Sequence, residues 1–198
     1  MNKLLFSVAV SLSCASAWAA PLFDAANGHY YDVVSAPGIT WPDARIAALA
    51  SYYNGLEGHL ATITSADEHS YVNAAIAGAG GGEMWAGGYQ TPAGEIDPQA
   101  GWTWVNGEGT FPGYDSASPY AFWNPGEPND AYGPGSEQFL GLNLGPGFND
   151  EFNLDLITGY VIEYDPTTIK DAPDSGATAS LLGGAFALIA TASRRFRR

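Results

Sequence analysis

Two stretches in the first half of the chain show the apolar spacing of helices. In the first, apolar residues recur at helical spacing after a hydroxyl cap at Thr40 and an early proline at Pro42, and the pattern ends at Asn54. The second begins with a capping box at Ser65–Glu68 and ends at the glycine run 80–82. We therefore expect two helices before residue 83.

The second half of the chain has a different pattern, with short apolar runs separated by glycine and proline. These runs are Met84–Tyr89, Gly101–Val105, Glu137–Leu144 and Gly159–Tyr164. Runs of this length between turn residues are typical of strands. Helices followed by strands predict an α+β fold with short antiparallel sheets and long Gly/Pro-rich loops.

The first residues, 1–20, have the pattern of a secretory signal peptide. Lys3 gives a basic start, an apolar run follows, and Ala17–Ala19 form a small-x-small cleavage site. The single cysteine, Cys14, lies inside this segment, and its lipidation is an alternative to simple cleavage. Cleavage leaves a mature chain without a thiol, so we expect an exported domain that folds without disulfides.

The last residues, 169–198, predict a membrane segment. Small and apolar residues fill 177–193, and four arginines follow in 194–198. A basic cluster of this kind stays on the cytoplasmic side of a membrane, which predicts transient anchoring of an otherwise external protein. The chain is thus expected to consist of a signal peptide (1–20), one domain (21–168) and a C-terminal sorting segment (169–198).

Composition and charge narrow the function of the central domain. The chain has 198 residues, 46% hydrophobic and only 14% charged, which excludes a disordered or coiled-coil protein. Its formal net charge is −14, and Arg45 is the only basic residue between positions 21 and 165. Such a chain cannot neutralise phosphates, so nucleic acid is excluded as a partner. The carboxylates either form a solubilising surface or share cations from solution.

Seven fragments of the central domain occur in an order that resembles C-type lectin-like domains. They are Ile39–Tyr53, Gly58–Ile63, Ser65–Asn73, Met84–Gly88, Gly101–Gly107, Phe122–Asn129, and the pair Glu137–Phe139 with Phe148–Asp150. The resemblance spans about residues 28–165 and implies the C-type lectin-like fold. Two features depart from the family: its disulfides are missing, and Phe148 stands where a tryptophan is usual.

The C-terminal segment resembles the PEP-CTERM family of bacterial sorting signals, in its Val-Pro-Asp-Ser-Gly variant. Pro173–Gly176 matches that motif, while Ala172 replaces the usual valine. The resemblance implies a Gram-negative bacterium, processing by an exosortase, removal of the tail, and delivery to the cell surface or the extracellular matrix.

The lectin resemblance also implies a calcium site. In the lectins that the chain resembles, one calcium is held at the positions of Glu127, Asn129, Glu137, Asn149 and Asp150. Ca²⁺ takes roughly six to eight oxygen ligands, which carboxylates and amide carbonyls supply. The resemblance further implies a cis bond before Pro128. The alternative is that these residues bind no metal: the Glu-Pro-Asn segment forms only a tight loop, and Asn149-Asp150 only caps a turn.

The same resemblance implies sugar contacts. The residues expected to contact two vicinal sugar hydroxyls are Glu127, Asn129, Glu137 and Asn149. In the lectins that the chain resembles, the Glu-Pro-Asn order implies equatorial 3- and 4-hydroxyls, as in mannose, glucose, N-acetylglucosamine or, by similar geometry, fucose. The order Gln-Pro-Asp would imply galactose instead.

Residues near these motifs offer weaker candidates. Asp130 could join a second calcium with Asp97 or Glu95, and Tyr132 is a candidate for stacking on a sugar ring. The tryptophans expected in the core are Trp41, Trp85, Trp102, Trp104 and Trp123. The histidines expected not to form a metal-spaced set are His29, His59 and His69.

Enzyme activity is not expected. No nucleophile, zinc or phosphate-loop motif is present, and a glycosidase pair of Glu127 and Asp150 would be kept ionised by a bound cation. We therefore expect a secreted, calcium-dependent protein that binds mannose- or glucose-type glycans. The alternative is a matrix or adhesion protein that binds proteins through the same fold, with calcium structural or absent.

Overall fold

The computed structural model describes residues 20–153 and 157–166. In this part of the chain the helices are α1 (Trp41–Leu49) and α2 (Ala66–Gly78). The strands are β1 (Leu22–Phe23), β2 (Tyr30–Ser35), β3 (Tyr52–Tyr53), β4 (Leu56–Leu60), β5 (Met84–Gln90), β6 (Trp102–Trp104), β7 (Ser116–Ala117), β8 (Tyr120–Ala121), β9 (Phe139–Leu142), β10 (Phe148–Glu151) and β11 (Gly159–Tyr164). The predicted α+β class is confirmed, since helices and a mostly antiparallel sheet occur together.

One sheet organises the domain, with β11 near its middle. Its strand order is β1-β2-β11-β5-β9-β10; β4 also pairs with β11, and β6 with β5. The pairs are antiparallel except β11 with β5, where Gly159 lies opposite Met84 in parallel. Parallel neighbours need a long crossover, which residues 91–158 supply. Because β10 ends this path, its backbone lies at an edge of the sheet.

Helix α1 begins as predicted but ends earlier than expected. The Thr40 hydroxyl accepts a hydrogen bond from the Asp43 N–H, and the helix ends at Leu49 rather than at Asn54. Asn54 instead has a φ of 51° and Gly55 a φ of 82°, in the turn between β3 and β4. An Asn-Gly pair favours such a hairpin turn, so the signal that predicted a helix end belongs to a strand pair.

Helix α2 confirms its prediction. The Ser65 hydroxyl accepts from the Glu68 N–H, and the helix ends at Gly78. Gly80, Gly81 and Gly82 then all have positive φ values, which glycine adopts without steric cost. This turn delivers Glu83 to the start of β5.

Strand β10 was not predicted as a strand. Its sequence, Phe-Asn-Asp-Glu, is poor in strand-forming residues, yet all four are buried. Pairing with β9, which sets Asn149 opposite Gly141 and Asp150 opposite Leu140, fixes the extended conformation. Tertiary pairing therefore overrides local preference at the sheet edge.

Aromatic packing forms the core. The five tryptophans predicted to be buried are at most 4% exposed, which confirms that prediction. Phe148 is also buried, and its ring centre lies 5.6 Å from that of Trp123 and 6.2 Å from that of Trp104. Phenylalanine therefore serves as the apolar anchor where the family usually has tryptophan. No cysteine occurs in the described ranges, so this packing holds the loops without disulfides.

A buried polar network lies on the side of the sheet where α2 contacts β2. Glu163, 0% exposed, accepts hydrogen bonds from the Thr62 N–H and hydroxyl at 2.8 and 2.9 Å and pairs with His29. Glu68 belongs to the same cluster, whose ligand-type atoms lie within 4.8 Å of one another. His29 thus joins carboxylates that are distant in sequence, and His59 Nδ1 lies 3.9 Å from Glu163 Oε2. The hydrogen bond with Glu163 raises the pKa of His29 to about 8.

The raised pKa predicts how stability depends on pH. His29 gains its partner on folding, so its stabilising effect is complete below the unfolded value of 6.5 and is lost as the pH rises through about 8. Thermal melting between pH 6.5 and 8.5 should therefore show a falling melting temperature that flattens in His29→Gln. His69→Gln is the matched control, because burial lowers the pKa of His69 to about 4, outside this interval. An equal slope in His29→Gln and the parent protein would contradict this account.

Candidate functional site

A pocket of about 290 Å³ opens at the sheet edge beside β10. The loop that follows Glu127 forms one wall, and β10 forms another. The five predicted calcium ligands all line it: Glu127, Asn129, Glu137, Asn149 and Asp150. The structure thus brings together residues from three separate motifs.

The Glu-Pro-Asn loop is attached to β10 through Asp150. The peptide bond between Glu127 and Pro128 is cis, as the resemblance implied. The Asp150 carboxylate accepts from the Asn129 N–H at 2.9 and 3.0 Å and from the Asp130 N–H at 2.9 Å. These bonds place the loop directly against the strand edge.

Asp130 organises the longer loop that leads to Glu137. Its carboxylate accepts from the Gly135 N–H at 2.8 Å and the Glu137 N–H at 2.9 Å, and Glu137 Oε2 accepts from the Ala131 N–H at 2.6 Å. Ligand-type oxygens of Asp130, Glu137 and Asp150 lie within 4.8 Å of one another. Asp130 therefore forms a carboxylate cluster with two of the residues that line the pocket.

The companions expected for Asp130 lie elsewhere. The Glu95 carboxylate accepts from the N–H groups of Ile96 and Asp97, and the Asp97 carboxylate accepts from the Gln99 N–H. Within residues 20–153 and 157–166, neither carboxylate joins Asp130 in a group of three ligand-type side chains. A second calcium at Asp130 stays a prediction, with Glu137 and Asp150 as its neighbours.

The electrostatics of the pocket suit a cation. Burial and the adjacent Asp150 carboxylate raise the pKa of Glu127 to about 7, and burial raises the pKa of Asp150. Glu127 Oε2 is buried and has no hydrogen-bond partner. Since none of the residues that line this pocket is basic, a divalent cation is the kind of group that would stabilise the ionised carboxylates. The donor set therefore fits calcium.

Two further acidic residues line the pocket and were missed from the sequence. Glu83 comes immediately before β5, and Glu151 is the last residue of β10. The Asn149 side-chain NH₂ donates to Glu83 Oε1 at 3.1 Å and to Glu151 Oε1 at 2.6 Å. Strand alternation could have identified Glu151, which shares a face of β10 with Asn149, but no sequence signal connects Glu83 to them.

Apolar side chains lie at the rim of the pocket. Tyr132 is 69% exposed, lines the pocket, and has its ring centre 6.1 Å from that of Phe152. Leu144 lines the pocket as well and is exposed. Tyr132 can therefore contact a ligand bound in the pocket, which its predicted stacking role requires.

Solved structures share this fold at low sequence identity. C-type lectin CEL-I from Cucumaria echinata is 19% identical, with a TM-score of 0.53, over 68% of this chain and 89% of that one. The cow carbohydrate-recognition domain of CD23, solved in the presence of GlcNAc2Man3 oligosaccharide, is 24% identical, with a TM-score of 0.51, over 76% and 95%. These likenesses establish the fold.

A sequence relative is halomucin of Haloquadratum walsbyi. It is 30% identical over 151 residues, which are 74% of this chain but only 2% of halomucin. The chain therefore spans a very small part of that relative, and the properties of the whole relative do not transfer to it.

The ends of the chain lie outside the described residues, and with them the predicted signal peptide and membrane segment. Among described residues, no helix is long and apolar enough to cross a membrane. A family model described as the VPDSG-CTERM motif matches residues 173–196, which confirms the motif expected there. The chain thus combines a C-type lectin-like fold with a C-terminal VPDSG-CTERM motif.

Proposed function

We propose that this protein is an exported, calcium-dependent carbohydrate-binding protein and not an enzyme. The observation that carries the proposal is the convergence of Glu127, Glu137 and Asp150 on one pocket beside a cis proline, with Glu127 Oε2 buried and unpartnered. No residue that lines the pocket is basic, so a cation or a proton would stabilise the carboxylates that are crowded there. The lectin domains that share the fold support the binding role.

Calcium would be held by the residues on both sides of the pocket. They are Glu127, Asn129, Glu137, Asn149 and Asp150. Three of these ligands are carboxylates, which gives a formal charge of −3 against +2 and favours binding. When bound, the cation supplies open coordination positions for two ligand hydroxyls.

The chain's own groups would orient the sugar. Carboxylates of Glu127 and Glu137 accept hydrogen bonds from hydroxyls, and the exposed Asn129 amide can donate one. Tyr132 would stack on the ring face. The Glu-Pro-Asn order supports equatorial 3- and 4-hydroxyls, hence mannose- or glucose-type glycans.

The C-terminal motif supports export and surface delivery. We propose that residues 1–20 direct secretion, that residues 21–168 form the binding domain, and that residues 169–198 anchor the chain transiently before an exosortase-type enzyme processes it. The VPDSG-CTERM match at 173–196 supports the last step. The glycans would then belong to the surface or the exopolysaccharide matrix of a Gram-negative bacterium.

The raised pKa of Glu127 predicts that calcium affinity depends on pH. Because a carboxylate must lose its proton before it binds the cation, affinity should fall about tenfold per unit as the pH drops below about 7 and level off above it. Calorimetric titration with calcium between pH 5.5 and 8 measures this. Glu127→Gln should bind more weakly and with a flatter profile; a pH-independent affinity in the parent protein would contradict the prediction.

Glycan binding should require both calcium and the loop. On an array of mannose-, glucose- and galactose-terminated glycans, we expect signals for the first two that vanish in chelator and in Glu127→Ala with Asn149→Ala. Because one monosaccharide binds at about millimolar affinity, a multivalent format is needed. Glu108→Gln, an exposed substitution away from the pocket, is the control and should keep the signals.

Two outcomes would favour the protein-binding alternative. One is the absence of any chelator-sensitive glycan signal while calcium still raises the melting temperature. The other is unchanged binding to the matrix in the double variant, since a protein-binding surface elsewhere would not need these side chains.

A further inference from the structure

The orientation of Asn149 restricts what the pocket can bind. Its side-chain NH₂ donates to Glu83 Oε1 and Glu151 Oε1, at 3.1 and 2.6 Å. Ionised carboxylates only accept hydrogen bonds, so the amide nitrogen and not the amide oxygen must face them. Both N–H donors of Asn149 are thereby used inside the protein, and its Oδ1 is left for the cation.

The sheet is built to hold these two carboxylates. A Cβ atom at position 141 would lie 2.5 Å from Glu83 Oε1 and 3.2 Å from Glu151 Cγ. Gly141 lies in β9 directly opposite Asn149, so the missing side chain makes the room in which both acidic groups fit. Glu83, Asn149 and Glu151 are all more than nine-tenths buried. They form a defined arrangement and not a solvated acidic surface.

This arrangement changes the hydrogen bonding available to a sugar. A hydroxyl beside Asn149 finds oxygen acceptors but no amide donor, because that donor already serves Glu83 and Glu151. The ligand must therefore supply donors on this side of the pocket.

The negative charge of the pocket also favours a ligand that donates hydrogen bonds. Five carboxylates line it: Glu83, Glu127, Glu137, Asp150 and Glu151. One calcium ion balances two of these charges, and none of the residues that line the pocket is basic. The formal sum of the five carboxylates and one calcium ion is −3, which favours a cationic group that donates hydrogen bonds.

We propose that the pocket selects a glycan with a free, protonated amino group, that is, a deacetylated 2-amino sugar. This inference rests on the proposed calcium-dependent carbohydrate binding. On such a sugar the amine is next to the 3-hydroxyl, so calcium takes the 3- and 4-hydroxyls while the ammonium faces the carboxylates of Glu83 and Glu151. Glu83 and Glu151 are then residues that determine specificity.

The test compares two tetrasaccharides that differ only in acetylation: β1,4-linked glucosamine with free amines and its N-acetylated form. Both end in a sugar with equatorial 3- and 4-hydroxyls. Calorimetry in calcium, at a pH where the amine is protonated, should show about tenfold tighter binding of the free amine, with an advantage that shrinks as salt is added.

Glutamine substitutions remove the charge of a glutamate but keep its size, so they test whether the charge causes the preference for the amine. In Glu83→Gln and Glu151→Gln an amide oxygen can still accept from Asn149 while one negative charge is lost. At a calcium concentration that saturates each variant, the ratio of the affinity for the free amine to the affinity for the N-acetylated sugar should fall severalfold. Glu108→Gln removes the same charge from an exposed turn and should keep the preference. Equal affinity for the two sugars would overturn this inference alone, whereas binding of neither, together with no chelator-sensitive signal on the glycan array, would overturn the proposed function with it.

Discussion

The Asp150 carboxylate connects the sheet to the loop that makes the pocket. It is 1% exposed and accepts hydrogen bonds from the N–H groups of Asn129 and Asp130, which follow the cis proline. Because this side chain holds the loop against the strand edge, Glu127 and Glu137 line the same pocket as Asn149. An ionised Asp150 serves both purposes, since it holds backbone donors and can also face a cation.

The carboxylates at this edge of the sheet are energetically costly, and the rest of the domain must offset that cost. Partial burial, followed by the nearby Asp150 carboxylate, raises the pKa of Glu127, so the ionised form of this edge is costly without a cation. The aromatic core supplies the stability that offsets this cost. Phe148, which lies in the same strand as Asp150, packs there against Trp104 and Trp123. An apolar scaffold thus supports the pocket that we propose to bind calcium.

Local signals predicted the parts of the fold that depend on local chemistry. The caps at Thr40 and Ser65 and the apolar run of β5 all formed as expected, because each signal acts within a few residues. The prediction was wrong at Asn54, because an Asn-Gly pair can end a helix or form the turn of a hairpin. It also missed β10, where pairing with β9 outweighs the low strand propensity of the sequence.

The site residues that lie in the motifs of the resembling family could be predicted from the sequence. The cis bond before Pro128 and the shared pocket agree with the resemblance. The roles of Glu83 and Gly141 could not be predicted, because they arise from strand registers that bring residues far apart in sequence to one place.

The most direct test of the account is whether calcium stabilises the fold through this pocket. Thermal melting of the protein in calcium and in chelator should show a rise of several degrees, since a ligand at 100 times its dissociation constant adds about 2.7 kcal/mol. Glu137→Gln, which keeps the size of the side chain but removes its charge, should lose most of that rise. An unchanged melting temperature at millimolar calcium, or an equal rise in the variant, would contradict the account.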